Sequence, residues 1–176
     1  MCSGSNEPNP ADATWAFIAI GSNLGNPRQN VFEAIERLKQ FSAGALLLSS
    51  LWETTPVDCP PGSPPFINAV VGLQPLPREN PESLLARLQK LERQFGRRRH
   101  LPNAPRSLDL DLIAFGKETR ATEQLNLPHP RAVQRRFVLQ PLSEIAHRLV
   151  LPGQSKTVAQ LLAALPPDPR MRLAPG

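Results

Sequence analysis

The chain has 176 residues with 20 Lys and Arg against 15 Asp and Glu, a formal charge of +5, which leaves room for one ordinary core and favours a polyanionic partner: nucleic acid, an acidic membrane surface or a nucleotide. Hydrophobic content of 40% with 20% charged residues excludes a wholly disordered chain, and 21 prolines, concentrated between periodic segments, punctuate its loops. Two cysteines far apart, Cys2 and Cys59, cannot build a zinc site unaided and are expected as free thiols; with no apolar run of about 18 residues and no secretory leader, the expected location is the cytoplasm.

Residues 1–12, rich in Ser, Gly, Asn and Pro, have almost nothing to bury and are expected to be a disordered extension. The apolar run 15–20 predicts a first buried strand, and Gly21-Ser22-Asn23-Leu24-Gly25 predicts a turn. Asn26 can then cap a helix with Pro27 at its first position, where the missing N–H costs nothing. Val31, Ile35 and Leu38 share one face of that helix, over 27–41. Strand character returns at 46–54 and, after a long proline-rich loop over 55–65, at 66–73. Asn80 and Pro81 repeat the cap-and-proline signal, and Leu84, Leu88, Leu91 and Phe95 form the stripe of a second helix.

A basic loop over 96–106 leads into Ser107-Leu108-Asp109-Leu110-Asp111-Leu112, whose alternation predicts a strand with Asp109 and Asp111 on one face and the leucines in a core. The element order β α β β α β is the split βαβ, ferredoxin-like order, an α+β fold with helices on one face of an antiparallel sheet. The additions beyond it are an extended segment at 125–130, a short helix over 137–145 that tolerates Pro141 in its first turns, and a last helix opened by the capping box Thr157 to Gln160. Residues 13–165 are expected to make one domain, and 166–176 to fray.

Two acids at i and i+2 on one strand repel, and a hard cation held between their oxygens is the commonest reason for such a pair. An edge strand that uses a solvated acidic face to discourage aggregation is the alternative. Arg97, Arg98, Arg99, His100 and Arg106 beside the acids fit a Mg²⁺-polyphosphate, with carboxylates on metal and arginines on oxygens. Aromatic residues are only 5% and none interleaves with these charges, which disfavours a nucleic-acid surface. The turn at Gly21 lacks the Gly-Lys-Ser/Thr ending of a phosphate loop and reads first as structure, with ligand contact second. His129, rigidly placed between prolines, reads first as a structural hydrogen-bonding residue and second as a catalytic one, since an imidazole serves either role.

Five collinear motifs then carry a family resemblance over about residues 13–151: Ile18-Ala19-Ile20-Gly21-Ser22-Asn23-Leu24-Gly25, Phe66-Ile67-Asn68-Ala69-Val70, residues 104–112, Leu127-Pro128-His129-Pro130-Arg131, and Arg136-Phe137-Val138-Leu139-Gln140-Pro141-Leu142. Together they resemble 6-hydroxymethyl-7,8-dihydropterin pyrophosphokinase of folate biosynthesis. The resemblance implies transfer of the β,γ-pyrophosphoryl group of ATP to the pterin hydroxymethyl oxygen with release of AMP. It implies two Mg²⁺ ions on Asp109 and Asp111, and catalytic-loop arginines Arg97 and Arg106. Gln89, Glu92, Arg99, Leu112, His129 and Arg135 would meet ATP. Thr54, Thr55, Val57, Phe66, Asn68 and Phe137 would hold the pterin, stacked between Phe137 and Phe66. A monomer acting on the small molecules pterin and ATP is expected, with no nucleic-acid or membrane partner. Two positions depart from the family pattern: Asn103 stands where a tryptophan often precedes the Ala-Pro-Arg, and Pro130 replaces an aromatic after the histidine. A ferredoxin-like binding module and a nucleotide hydrolase are the competing classes.

Overall fold

The computed structural model describes residues 14–55, 62, 64–96 and 107–175. Strand β1 (Ala16–Ser22) is followed by helix α1 (Pro27–Leu38), capped by the Asn26 side chain accepting from the Gln29 N–H, with Pro27 at the first helical position. A single 3₁₀ turn, Lys39–Phe41, completes the stretch expected as one helix. The segment read as one strand over 46–54 divides into β2 (Leu47–Leu48) and β3 (Trp52–Thr54), and β4 (Phe66–Leu73) has the expected bounds. Helix α2 (Pro81–Gln94) begins with a reciprocal cap between Asn80 and Ser83, and β5 (Asp109–Phe115) carries the acid pair. Then come β6 (Arg120–Ala121), β7 (Asn126–Leu127), α3 (Arg136–Ala146), α4 (Val158–Ala164) and β8 (Met171–Leu173).

Every described pairing is antiparallel: the main sheet runs β5-β1-β4-β3-β8 with β2 also on β4, and β6 pairs β7 separately. Because strand side chains alternate, the sheet feeds two cores. On one face Ile18, Ile20, Val71, Leu73, Leu108, Leu110 and Leu112 pack with the stripes Val31, Ala34, Leu38 of α1 and Leu84, Leu88, Leu91 of α2. On the other, Phe17, Val70, Ile113 and Ala114 pack with Val138, Leu139 and Leu142 of α3 and Val158 of α4. This is a ferredoxin-like α+β fold. No described helix is long and apolar enough to cross a membrane.

Three expectations are corrected. Helices cover both faces of the sheet rather than one, since α3 and α4 take the face that α1 and α2 leave. Gly21 and Ser22 belong to β1 rather than to a turn, because β4 and β5 pair with them from both sides. The tail expected to fray instead supplies β8: Met171, Arg172 and Leu173 pair with Thr54, Glu53 and Trp52, and the Thr55 and Ala174 N–H groups bond to the Arg170 and Leu51 carbonyls at 3.1 and 2.9 Å. Three residues are too few to show a strand period, and the neighbouring prolines mask the pairing signal. Pro141 sits in the second turn of α3 and has no N–H to offer the Phe137 carbonyl.

Candidate active site

The acid pair behaves as its spacing requires. Leu108, Leu110 and Leu112 are buried in the first core, while Asp109 and Asp111 are half-buried on the opposite face. Register then places other residues beside them. Gly21 pairs with Asp109 on one side and with Asn68 on the other, and Asn68 pairs in turn with Trp52. Directly opposed residues share a face, so Asp109, Gly21, Asn68 and Trp52 form one row across four strands. Asp109 and Asn68 are two strand spacings apart, about 10 Å, with only a glycine between them.

At the Asn68 end, the buried amide donates to the Thr54 hydroxyl at 2.8 Å, and Thr54 pairs with Phe66, which is half-buried on the same face. Thr55 is exposed just beyond. Phe137 stands at the start of α3 on this side of the sheet, exposed, with the Arg135 guanidinium over its ring at 5.5 Å. At the acid end, the His129 N–H donates to the Ile113 carbonyl at 2.8 Å, which lays the 128–130 segment along the outer edge of β5. The Leu127–Pro128 peptide bond is cis. Glu92, 3% exposed, and half-buried Gln89 lie in the last two turns of α2, the helix that packs against β5. Leu112 is a core side chain, so any contact it makes with a nucleotide passes through its backbone. Val57, Arg97, Arg99 and Arg106 lie outside the described residues.

The Gly21–Gly25 segment braces the entrances to both ends of the row. The Ser22 hydroxyl donates to the Ser107 carbonyl, and the Asn30 amide donates to that carbonyl at 3.1 Å, to the Leu24 carbonyl at 2.9 Å and to the Ser22 hydroxyl at 3.2 Å. The Asn23 amide reaches the Pro64 carbonyl at 3.4 Å. Ser107 leads into Asp109 and Pro64 into Phe66, so this motif fixes where the strands carrying the site begin.

Burial holds the His129 pKa below the ordinary histidine value, and the charges of Arg135 and Arg131 push the same way, with Asp109 opposing. In the pH range below the ordinary value of about 6.5, the unfolded chain binds this proton before the folded one does. His129 therefore subtracts stability as pH falls through that range. A polyphosphate beside it would offset the two guanidinium charges. We expect the His129 ring to titrate below the usual histidine range in the free protein and to move upward when ATP is added, read by NMR of the imidazole. A midpoint indifferent to ATP would place phosphate elsewhere.

The donor set suits magnesium. Among the described residues no group of three or more His, Cys, Asp or Glu side chains could cage a metal. Magnesium characteristically takes one or two carboxylates and completes its octahedron with water and substrate phosphates, so the Asp109 and Asp111 carboxylates would be enough protein ligands for it.

Haemophilus influenzae 2-amino-4-hydroxy-6-hydroxymethyldihydropteridine pyrophosphokinase is 35% identical over 161 residues, covering 91% of this chain and 98% of that protein. The Pneumocystis carinii folic acid synthesis protein fol1 is 36% identical over 151 residues, 86% of this chain, but the chain spans only 20% of that longer protein. A crystal structure of wild-type Plasmodium falciparum HPPK-DHPS with pteroate superposes with a TM-score of 0.67 over 85% of this chain and 42% of that one; at 13% identity this is a likeness of fold. The sequence profile of 7,8-dihydro-6-hydroxymethylpterin-pyrophosphokinase (HPPK) matches residues 17–147, a span that contains the whole row from Asp109 to Trp52 and every described residue gathered around it, and the chain belongs to that family.

Proposed function

We propose that this protein transfers the diphosphoryl group of ATP to the hydroxymethyl oxygen of 6-hydroxymethyl-7,8-dihydropterin. The single observation that carries the reading is the row in which a glycine separates an acid pair from a buried amide. A flat, hydrogen-bonding heterocycle suits the Asn68 end, where Phe66 and Phe137 would offer ring faces and Asn68, Thr54, Thr55 and Val57 would read the polar edge. The hydroxymethyl group then points along the Gly21 lane toward Asp109 and Asp111. Those carboxylates would hold two Mg²⁺, which supply charge neutralisation for the triphosphate. Gln89, Glu92 and the Leu112 backbone would line the nucleotide side, with His129, Arg135, Arg97, Arg99 and Arg106 on phosphate oxygens.

The chemistry is positioning plus charge compensation. The hydroxymethyl oxygen attacks the β-phosphorus in line with the bridging oxygen to the α-phosphorus; that bond breaks, AMP departs with the bridging oxygen, and the hydroxyl proton passes to solvent. No covalent enzyme intermediate is needed. The reading extends to a single catalytic domain beginning near residue 13, working as a cytoplasmic monomer on small molecules without a nucleic-acid or membrane partner.

Phosphorus NMR tests the reaction. Stoichiometric AMP formed only in the presence of the pterin alcohol is the expected outcome; ADP as primary product, or ATP cleavage without pterin, moves the protein to the kinase or hydrolase class. Asn68→Ala is expected to weaken pterin binding by about 1 to 3 kcal/mol, the cost of leaving polar edges unpaired in a desolvated site. Calorimetric titration measures it, and unchanged affinity removes Asn68 from the site.

A further inference from the structure

Strand β3 carries Thr54, the partner of Asn68, and it is held from three directions. Strand β4 pairs one edge and β8 the other. The third hold comes from the helix above. Glu144 of α3 accepts a hydrogen bond from the Trp52 indole N–H at 2.8 Å through one carboxylate oxygen and from the Ser50 hydroxyl at 2.7 Å through the other. Both are charge-assisted bonds, stronger than neutral ones. Glu144 follows Phe137 by seven residues, about two helical turns, so the two side chains project from the same side of α3. Trp52 stands in the row with Asn68, Gly21 and Asp109.

We propose that Glu144 is a positioning residue for the pterin slot, tying α3 to β3 and thereby fixing how far Phe137 stands from Phe66, Asn68 and Thr54 on the sheet. The proposal rests on the pterin reading of the site. Hydrophobic packing under α3, through Leu139 and Leu142, fixes the height of the helix over the sheet, but apolar contacts are non-directional and leave rotation about the helix axis and sliding along it weakly opposed. A two-pronged hydrogen bond has direction, and it acts on those motions. The slot for a flat ring is sensitive to both, whereas the acid pair lies on the far edge strand of the same face, α2 lies on the opposite face, and neither is tied by this bond. Glu144 is itself exposed, so the bond adds little to global stability. Its effect concentrates on slot geometry.

The test uses steady-state AMP formation by the full chain, varying each substrate with the other saturating. Glu144→Ala and Trp52→Phe, which remove the same bond from opposite ends, are each expected to raise the pterin KM about tenfold, the equivalent of one charge-assisted hydrogen bond. The ATP KM should stay within about twofold, and the double variant should be no worse than either single one. Glu144→Gln should recover most of the loss, since its amide oxygen can accept from Trp52 while its nitrogen donates to Ser50. A pterin KM unchanged in both single variants, or both KM values rising together with a fallen melting temperature, overturns the proposal. Should the wild-type chain form no AMP, the reaction assignment fails by itself. Emission of Trp52 in a Trp15→Phe background then decides the clamp: pterin-alcohol affinity about tenfold weaker in Glu144→Ala supports it, and equal affinity or no binding overturns it.

Discussion

Asp109→Asn and Asp111→Asn are each expected to lower the turnover rate by about a thousandfold or more while leaving the melting temperature nearly where it was. Electrostatic stabilisation by a bound cation is worth several kcal/mol at the transition state, and each 1.4 kcal/mol is about a factor of ten. An amide keeps the shape of the carboxylate but gives a hard cation one neutral oxygen in place of a charged pair of them. The strand keeps its hydrophobic anchor in both variants, because Leu108, Leu110 and Leu112 on its other face are each no more than 3% exposed. Leu110→Ala supplies the opposite pattern. It should cost about 2 to 5 kcal/mol of stability by opening a cavity against α1 and α2, with turnover per folded molecule far less affected. Kinetics at ordinary Mg²⁺ beside thermal unfolding of the three variants separates the outcomes; turnover near wild type in either aspartate variant removes the metal site from β5.

Gly21→Leu should give a protein that folds and does not turn over. A Cβ built at Gly21 stands 3.4 Å from the Asn68 side-chain oxygen and 4.0 Å from the Phe66 ring, ordinary contact distances, and the backbone there is regular strand. The methyl of Gly21→Ala therefore fits. A longer side chain continues outward into the lane between the amide and the acids, where the hydroxymethyl group would meet the β-phosphorus. Displacing a reacting atom by about 1 Å can cost 10²-fold, so a loss of at least that size is expected for Leu, with Ala intermediate. Stability should move the other way, rising by a few tenths to about 1 kcal/mol, because glycine in a strand loses the most backbone entropy on folding. A Gly21→Leu variant with wild-type kcat/KM would show that no substrate crosses the lane.

Much of this was legible in the chain. The α1 and α2 stripes, the Asn26, Asn80 and Thr157 caps, and the alternation of acids and leucines at 108–112 are short-range patterns, and each marks its element because cause and effect lie within a few residues. Gly21 reads as a turn in the sequence because glycine's local preference says nothing of its partners; Asn68 and Asp109, which hold it in the sheet, are 47 and 88 positions away. Strands β6, β7 and β8 are two or three residues long, below any detectable period. The Glu144 clamp was invisible for a related reason, since a polar residue on an exposed helix face looks solvated until its partners 92 and 94 positions earlier are seen. The candidate acids stand out by their spacing and Asn68 only through the family resemblance; that one register row joins Asp109 to Asn68 is a property of pairing.

Strand β1 lies between β4 and β5, with one core beneath it and, above it, the second core at Phe17 and the proposed substrate lane at Gly21. It is paired along both edges, which places its amides among those expected to open least readily to solvent. A ligand lying on this strand thus meets a surface that cannot yield, and any accommodation must come from what stands over it. Thickness, more than outline, becomes the property such a surface discriminates: planar heterocycles should be accepted with varied edges, while saturated, puckered analogues of the same outline should be turned away.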